Sequence, residues 1–156
     1  MSDAQPTSRY CFVCGRDNPV SLGVRWRNDT DARQVRAVVT VREEYNGYPG
    51  IVHGGVVAAL LDETAGRALM LDGNFERLWV TVKLEVTYRR PTPTGVPLTV
   101  IGWVEREDAR RSMTAAEIRL PDGEVTARGK ALIARPPEKM LGAWLAEREH
   151  WRADPA

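Results

Sequence analysis

"NGYPGIVHGGVVAALLDETAG", residues 46–66, is the stretch on which the reading of this chain turns. It holds His53, one of two histidines among 156 residues. Gly54 and Gly55 follow at once, and then an alanine-rich apolar run with two adjacent acids, Asp62 and Glu63. Asn46-Gly47 and Pro49-Gly50 mark a loop over 44–52. The apolar run beyond them predicts a helix over about 54–71. The stretch is either a buried helix with a glycine hinge or half of an active site.

On a helical wheel, Gly55, Ala58, Ala59, Asp62, Gly66 and Leu69 share a face. Most of that face is glycine and alanine, so another backbone or a slender ligand could approach it closely. Gly66, inside the helix, costs about 1 kcal/mol relative to alanine. Asp62 has only Ala58, Ala59, Ala65 and Gly66 at helical spacing. Glu63 has Arg67 four residues on, in the favourable order for an ion pair. Glu63 therefore reads as structural, and Asp62 as the acid left for chemistry or for capping an interface. "HGG" at the helix start would leave amides open to a carboxylate, a phosphate or a developing oxyanion. His53 either orients that loop and meets a ligand or simply caps the helix. Seven residues separate Gly55 from Asp62, about 10 Å of helix rise. One helix cannot bring both to one small carbonyl, whereas two antiparallel helices in a two-fold dimer could, twice.

Working outward, "LGVRW" and "RQVRAVVTV" predict strands at 22–28 and 34–43. In "LWVTVKLEVTYRRP", Val80, Val82, Leu84, Val86 and Tyr88 alternate with Thr81, Lys83, Glu85, Thr87 and Arg89, which predicts a half-buried strand. The turn "PTPTGVP" leads to the strand "LTVIGWVERE", whose end, "REDAR", is a hairpin tip. "SMTAAEIRL" and "EVTARGKALIA" are further strands, joined by the turn "PDG". "EKMLGAWLAEREHW" reads as an amphipathic C-terminal helix. The expected architecture is α+β. A curved antiparallel sheet of five to six strands, its late strands pairing in sequence through short turns, wraps a long central helix. The expected division is a lead-in at 1–21, loose over 1–10, a domain at 22–135 and a helical extension at 136–156.

The chain is 43% hydrophobic and 28% charged with net charge +1, which gives no reason to expect a nucleic-acid or membrane partner. "MSDAQPTSRY" lacks the apolar core of a signal peptide, so the cytoplasm is the expected compartment. The only cysteines, Cys11 and Cys14, lie in "CFVCG". A second pair, which a closed zinc site would want, is missing, and neither histidine has finger-like spacing. The motif reads as a structural turn, with metal binding (including a metal shared between chains) and redox chemistry as alternatives.

"HGGVVAALLDETAG" resembles the signature of hotdog-fold thioesterases of the phenylacetyl-CoA-thioesterase-like group. "NGYPGIVHGG", "TVKLEVTYRRP" and "CFVCGRDNPVSLG" are similar to the branch that includes thioesterase superfamily member 4. The likeness runs over roughly residues 11–135 and implies an acyl-CoA thioesterase. The Gly55 amide, with Gly54, would polarise the thioester carbonyl, and His53 would stand beside them. Asp62 from a second copy would act as general base or nucleophile. Asn46 would lie near the carbonyl, and Thr81 would help to place the attacking water. Ala58, Ala59 and Gly66 would give the acyl group its path. Arg89 and Arg90, with Arg110 and Arg111, are candidates for the phosphates of coenzyme A, or ordinary solvated charges. No metal or cofactor is required, coenzyme A being part of the substrate. The expected assembly is a dimer at least, with a tetramer left open. Rival readings are a non-catalytic acyl-CoA-binding or sensing protein and a hotdog dehydratase or hydratase. The hydratase pattern wants a histidine five residues after Asp17, where Leu22 stands.

Overall fold

The computed structural model describes residues 3–154. Strands β1 (Arg27–Asp29) and β2 (Gln34–Thr40) lead to the short pair β3 (Asn46–Tyr48) and β4 (Ile51–Val52). Helix α1 (Gly54–Arg67) follows, then β5 (Val80–Tyr88), β6 (Pro97–Glu107), β7 (Arg111–Arg119), β8 (Val125–Ala134) and α2 (Leu141–Glu147). Six strands form one antiparallel sheet in the order β1-β2-β6-β7-β8-β5, as the α+β reading expects.

The sheet wraps α1. Leu60, Leu61, Ala65 and Ala68 are fully buried against Val35, Leu98, Val100, Ala116, Ile118, Ala131 and Ile133. Glycine sets the crossing distance where α1 meets β6. A Cβ on Gly102 would lie 2.4 Å from the Thr64 carbonyl oxygen, a backbone atom that cannot swing away. Gly102→Ala is therefore expected to push α1 off the sheet, at a cost of about 1–3 kcal/mol, read as a lowered urea midpoint at unchanged slope.

Three expectations are corrected. First, β5 does not pair with β6. It crosses to the far edge and pairs with β8, leaving β7 and β8 between them. The connection from Pro91 to Pro97 carries three prolines and is not a tight hairpin. It is tied to the loop before α1, where the Val52 amide donates to the Thr92 carbonyl at 2.8 Å and the Thr94 amide to Gly50 at 3.0 Å.

Second, the lead-in is not loose. Gln5 and Thr7 are buried, Gln5 Nε2 donates to the Arg67 carbonyl at 3.0 Å, and Thr7 bridges to Arg152. Residues 22–26 pair with this N-terminal segment rather than with the sheet: Leu22 donates to Phe12 and Val24 to Val13, and the Trp26 carbonyl accepts from Gln5. The first sheet strand accordingly starts only at Arg27.

Third, the α-helix ends at Arg67 and a 3-10 turn, Ala68–Met70, carries it on. Leu69, which the wheel groups with the small-residue face, is buried in the core. At the C-terminus α2 keeps only seven residues in α form, flanked by 3-10 turns at Glu138–Met140 and Arg148–His150.

Candidate functional site

The loop that enters α1 is held by Glu43. Its carboxylate accepts from the Asn46 side chain at 2.8 Å, the Gly50 amide at 2.9 Å and the Thr94 hydroxyl at 2.5 Å. These bonds, Thr94 first and then Gly50 and Asn46, hold Glu43 below the ordinary carboxylate range. Asn46 is thus engaged with Glu43. Nothing in the local pattern singles out Glu43, because two of its donors arrive from Gly50 and from Thr94, 51 residues away.

His53 is the N-cap of α1. Its Nδ1 accepts from the Gly55 amide at 2.9 Å, and its carbonyl accepts from Val56 and Val57. The amide that the sequence reading left bare is therefore covered by imidazole in this conformation. Gly54 sits under Tyr88, whose hydroxyl donates to the Gly54 carbonyl at 2.7 Å. His53, Gly54, Tyr88, Arg89 and Arg90 line one open groove of about 800 Å³. Arg90 also pairs with Glu124. Arg110 and Arg111 lie outside this groove, at the β6–β7 turn, where their amides donate to Asp108 at 2.9 and 2.8 Å.

Asp62, two turns along α1, meets Thr81: the hydroxyl donates to Asp62 Oδ1 at 2.8 Å. The alternation along β5 puts Thr81 on the face away from the helix, and a bulge overrides it. Thr81 stands opposite Ile133 and Lys83 opposite Leu132, so Val82 has no partner in the ladder. Residues opposite each other in a sheet point to the same face. Thr81 therefore shares the inward face of buried Ile133 and reaches Asp62, while Val82 is turned out and 60% exposed. Re-aiming a side chain beside a site is a recurrent use of a bulge.

Asp62 and Thr81 line a second cavity of about 390 Å³. Neither Gly54 nor His53 lines it, so within one chain the helix N-terminus and the acid belong to different spaces. Between them the helix surface is small and uncovered. Gly55 is exposed, and Ala58, Ala59 and Gly66 are half-buried. A Cβ on Gly66 would meet nothing nearer than Ile133 Cδ1 at 4.0 Å. Nothing among the described residues requires glycine there. Glu63 pairs with Arg67 at 3.0 Å, as the spacing predicts.

An antiparallel six-stranded sheet around one long helix defines a class of protein, the hotdog thioesterases. The chain belongs to the Thioesterase superfamily, whose family model matches residues 49–127. It is 35% identical over 77 residues to acyl-coenzyme A thioesterase THEM4 of Xenopus laevis, covering 49% of this chain and 33% of that one. It is 29% identical over 97 residues to the Mus musculus protein of the same name, covering 61% and 40%. The chain thus spans between a third and two fifths of the length of these curated relatives. A crystal structure of a thioesterase superfamily protein matches at TM-score 0.73 and 37% identity, over 81% of this chain and 60% of that one. Zebrafish thioesterase superfamily member 2 matches in fold at TM-score 0.60 and 20% identity, over 66% and 75%. Among the described residues no helix is long and apolar enough to cross a membrane.

Proposed function

We propose that this protein hydrolyses acyl-CoA thioesters in sites shared between two copies of the chain. The observation that carries the reading is the bond from Thr81 to Asp62, on the uncovered small-residue face of α1. Asp62 Oδ1 is held by the hydroxyl, and Oδ2 takes the proton of a water, or attacks the carbonyl carbon itself. Across the dimer the thioester carbonyl displaces His53 Nδ1 and accepts from the Gly55 amide, at the positive end of α1. Asn46, held by Glu43, borders that position. Arg89 and Arg90, on the groove beside Gly54, meet the phosphates of coenzyme A. The acyl group runs along Ala58, Ala59 and Gly66.

Two features support a second copy. The outer edge of β5 has no partner strand among the described residues, and it carries exposed Val82. The distance from Gly55 to Asp62, about 10 Å along the axis, is too long for one chain to span at one carbonyl.

The test is a panel of aliphatic and aryl acyl-CoA substrates with wild type and Asp62→Asn, followed by release of free thiol. Binding without turnover in wild type would favour a non-catalytic acyl-CoA-binding protein. A stable, active monomer in gel filtration would end the shared-site reading. Thr81→Val removes one hydrogen bond to a charged acceptor, worth about 1.5 kcal/mol. It is expected to lower kcat roughly 10-fold with little change in KM, because the water is misplaced while the acyl path is untouched.

A further inference from the structure

"CFVCG" folds as a compact turn against α1, and its thiols do not face empty protein. The Gly15 amide donates to the Cys11 carbonyl at 2.7 Å. A Cβ at Gly15 would lie 2.5 Å from that oxygen and 2.7 Å from the Arg9 carbonyl oxygen, so only glycine closes the turn this tightly. The closure brings Cys11 and Cys14 together, with their sulfurs and a Glu63 carboxylate oxygen all within 4.8 Å of one another. Cys14 is fully buried and Cys11 partly exposed. Both line the cavity that holds Asp62 and Thr81.

Three such donors suggest a metal, but a fixed cation already holds the position. Arg67, 2% exposed, donates from Nη2 to Cys14 Sγ at 3.2 Å and from Nε to Glu63 at 3.0 Å. A divalent ion between the same donors would face a buried guanidinium. A guanidinium against a sulfur instead favours thiolate. The Cys11 thiol hydrogen-bonds to Cys14, and this with the Arg67 charge brings Cys14 down to about 6, against the opposing effect of burial. The same hydrogen bond, and then burial, raise Cys11.

We infer that Cys11 and Cys14 form a redox-active dithiol, oxidised to a disulfide by small hydroperoxides that enter through the cavity beside Asp62. The Cys14 thiolate attacks one peroxide oxygen and becomes a sulfenic acid, and hydroxide leaves. That hydroxide takes the proton of Cys11 and becomes water. The Cys11 sulfur then bonds to Cys14 Sγ and expels a second hydroxide. In sum, one thiol, one thiolate and one hydrogen peroxide give one disulfide, one water and one hydroxide. Each sulfur loses one electron, and the O–O bond takes both. An external thiol reverses the change. Oxidation removes a negative charge from beside Arg67 and Glu63, at the wall of the Asp62 cavity. A reversible dithiol of this kind is compatible with a reducing compartment, where permanent disulfides are not.

The test treats the reduced 156-residue chain with hydrogen peroxide at pH 7, then denatures, alkylates and weighs it. Wild type is expected to lose both alkylation sites together, with a mass decrease of two hydrogens that dithiothreitol restores. Because a thiolate reacts and a thiol does not, the folded chain is expected to react roughly 10-fold faster than the same chain in denaturant. A merely packed cysteine would instead be protected by folding. Cys11→Ser is expected to stop at a sulfenic acid on Cys14, captured by dimedone, and Cys14→Ser to lose the fast phase. Equal or slower oxidation in the folded chain, or loss of Cys14 thiol without a disulfide, would overturn the inference. So would purified protein carrying one zinc per chain with both thiols resistant to peroxide.

Discussion

Asp62→Asn is expected to lower kcat for acyl-CoA hydrolysis by about 10²–10⁴, the range that a positioned general base supplies. The amide keeps the shape of the carboxylate, and its oxygen still accepts from Thr81, whose hydroxyl donates to Oδ1 at 2.8 Å. What is lost is the proton acceptor. Asp62 has no ion pair among the described residues, so the melting temperature should hold, with a change within about 0.5 kcal/mol. Glu63→Gln is the matched control. Its carboxylate accepts from Arg67 rather than from Thr81, so its effect should fall on stability and leave kcat near wild type. Turnover by Asp62→Asn at the wild-type rate would remove the base from the mechanism. A parallel loss of activity and of melting temperature in both variants would reduce the two acids to structural roles.

These two neighbours show how far the sequence could be read. The Glu63–Arg67 pair is a local matter of helical spacing, and it was legible from four residues of separation. The α+β architecture was equally legible, because strand alternation and the apolar run of α1 are local patterns. Strand order was not. Short turns suggest neighbours, but the proline-rich segment after β5 is tied to the loop before α1 and takes the chain past β8 and β7 to the place of β6 beside β2. A tie between residues some forty positions apart leaves no local periodicity.

The site divides in the same way. His53, Gly54 and Gly55 stand out because glycines at a helix start are poor helix formers. That His53 Nδ1 covers the Gly55 amide is a rotamer, which the sequence does not state. Thr81 fell on the wrong face by simple alternation, since one unpaired residue, Val82, reverses the parity of everything before it. Glu43 gave no signal at all, and its role comes from the backbone of Gly50 and the hydroxyl of Thr94. "CFVCG" was visible as a motif, but its neighbour, Arg67, lies 53 residues beyond Cys14.

Arg67→Ala is the substitution expected to cost most in stability, about 3–5 kcal/mol. The guanidinium joins three parts of the chain. It donates to the Pro6 carbonyl of the N-terminal segment, to Cys14 of the turn and to Glu63 of its own helix. It also lies between two indole rings, 4.6 Å from the Trp26 centroid and 4.8 Å from that of Trp151 in the C-terminal segment. Alanine leaves the Cys14 sulfur and the Glu63 carboxylate, 30% exposed, without their cation, and opens a space between the rings. For a domain of this size the melting temperature should fall by roughly 10 °C. Arg67→Met separates the causes. It fills most of the space but still strands the charge, so it should recover only the packing share. Adding Glu63→Gln to Arg67→Met removes the stranded carboxylate, and it should bring back more stability than Glu63→Gln costs alone. If the double variant is no better than Arg67→Met, packing between Trp26 and Trp151, and not charge, is what Arg67 contributes.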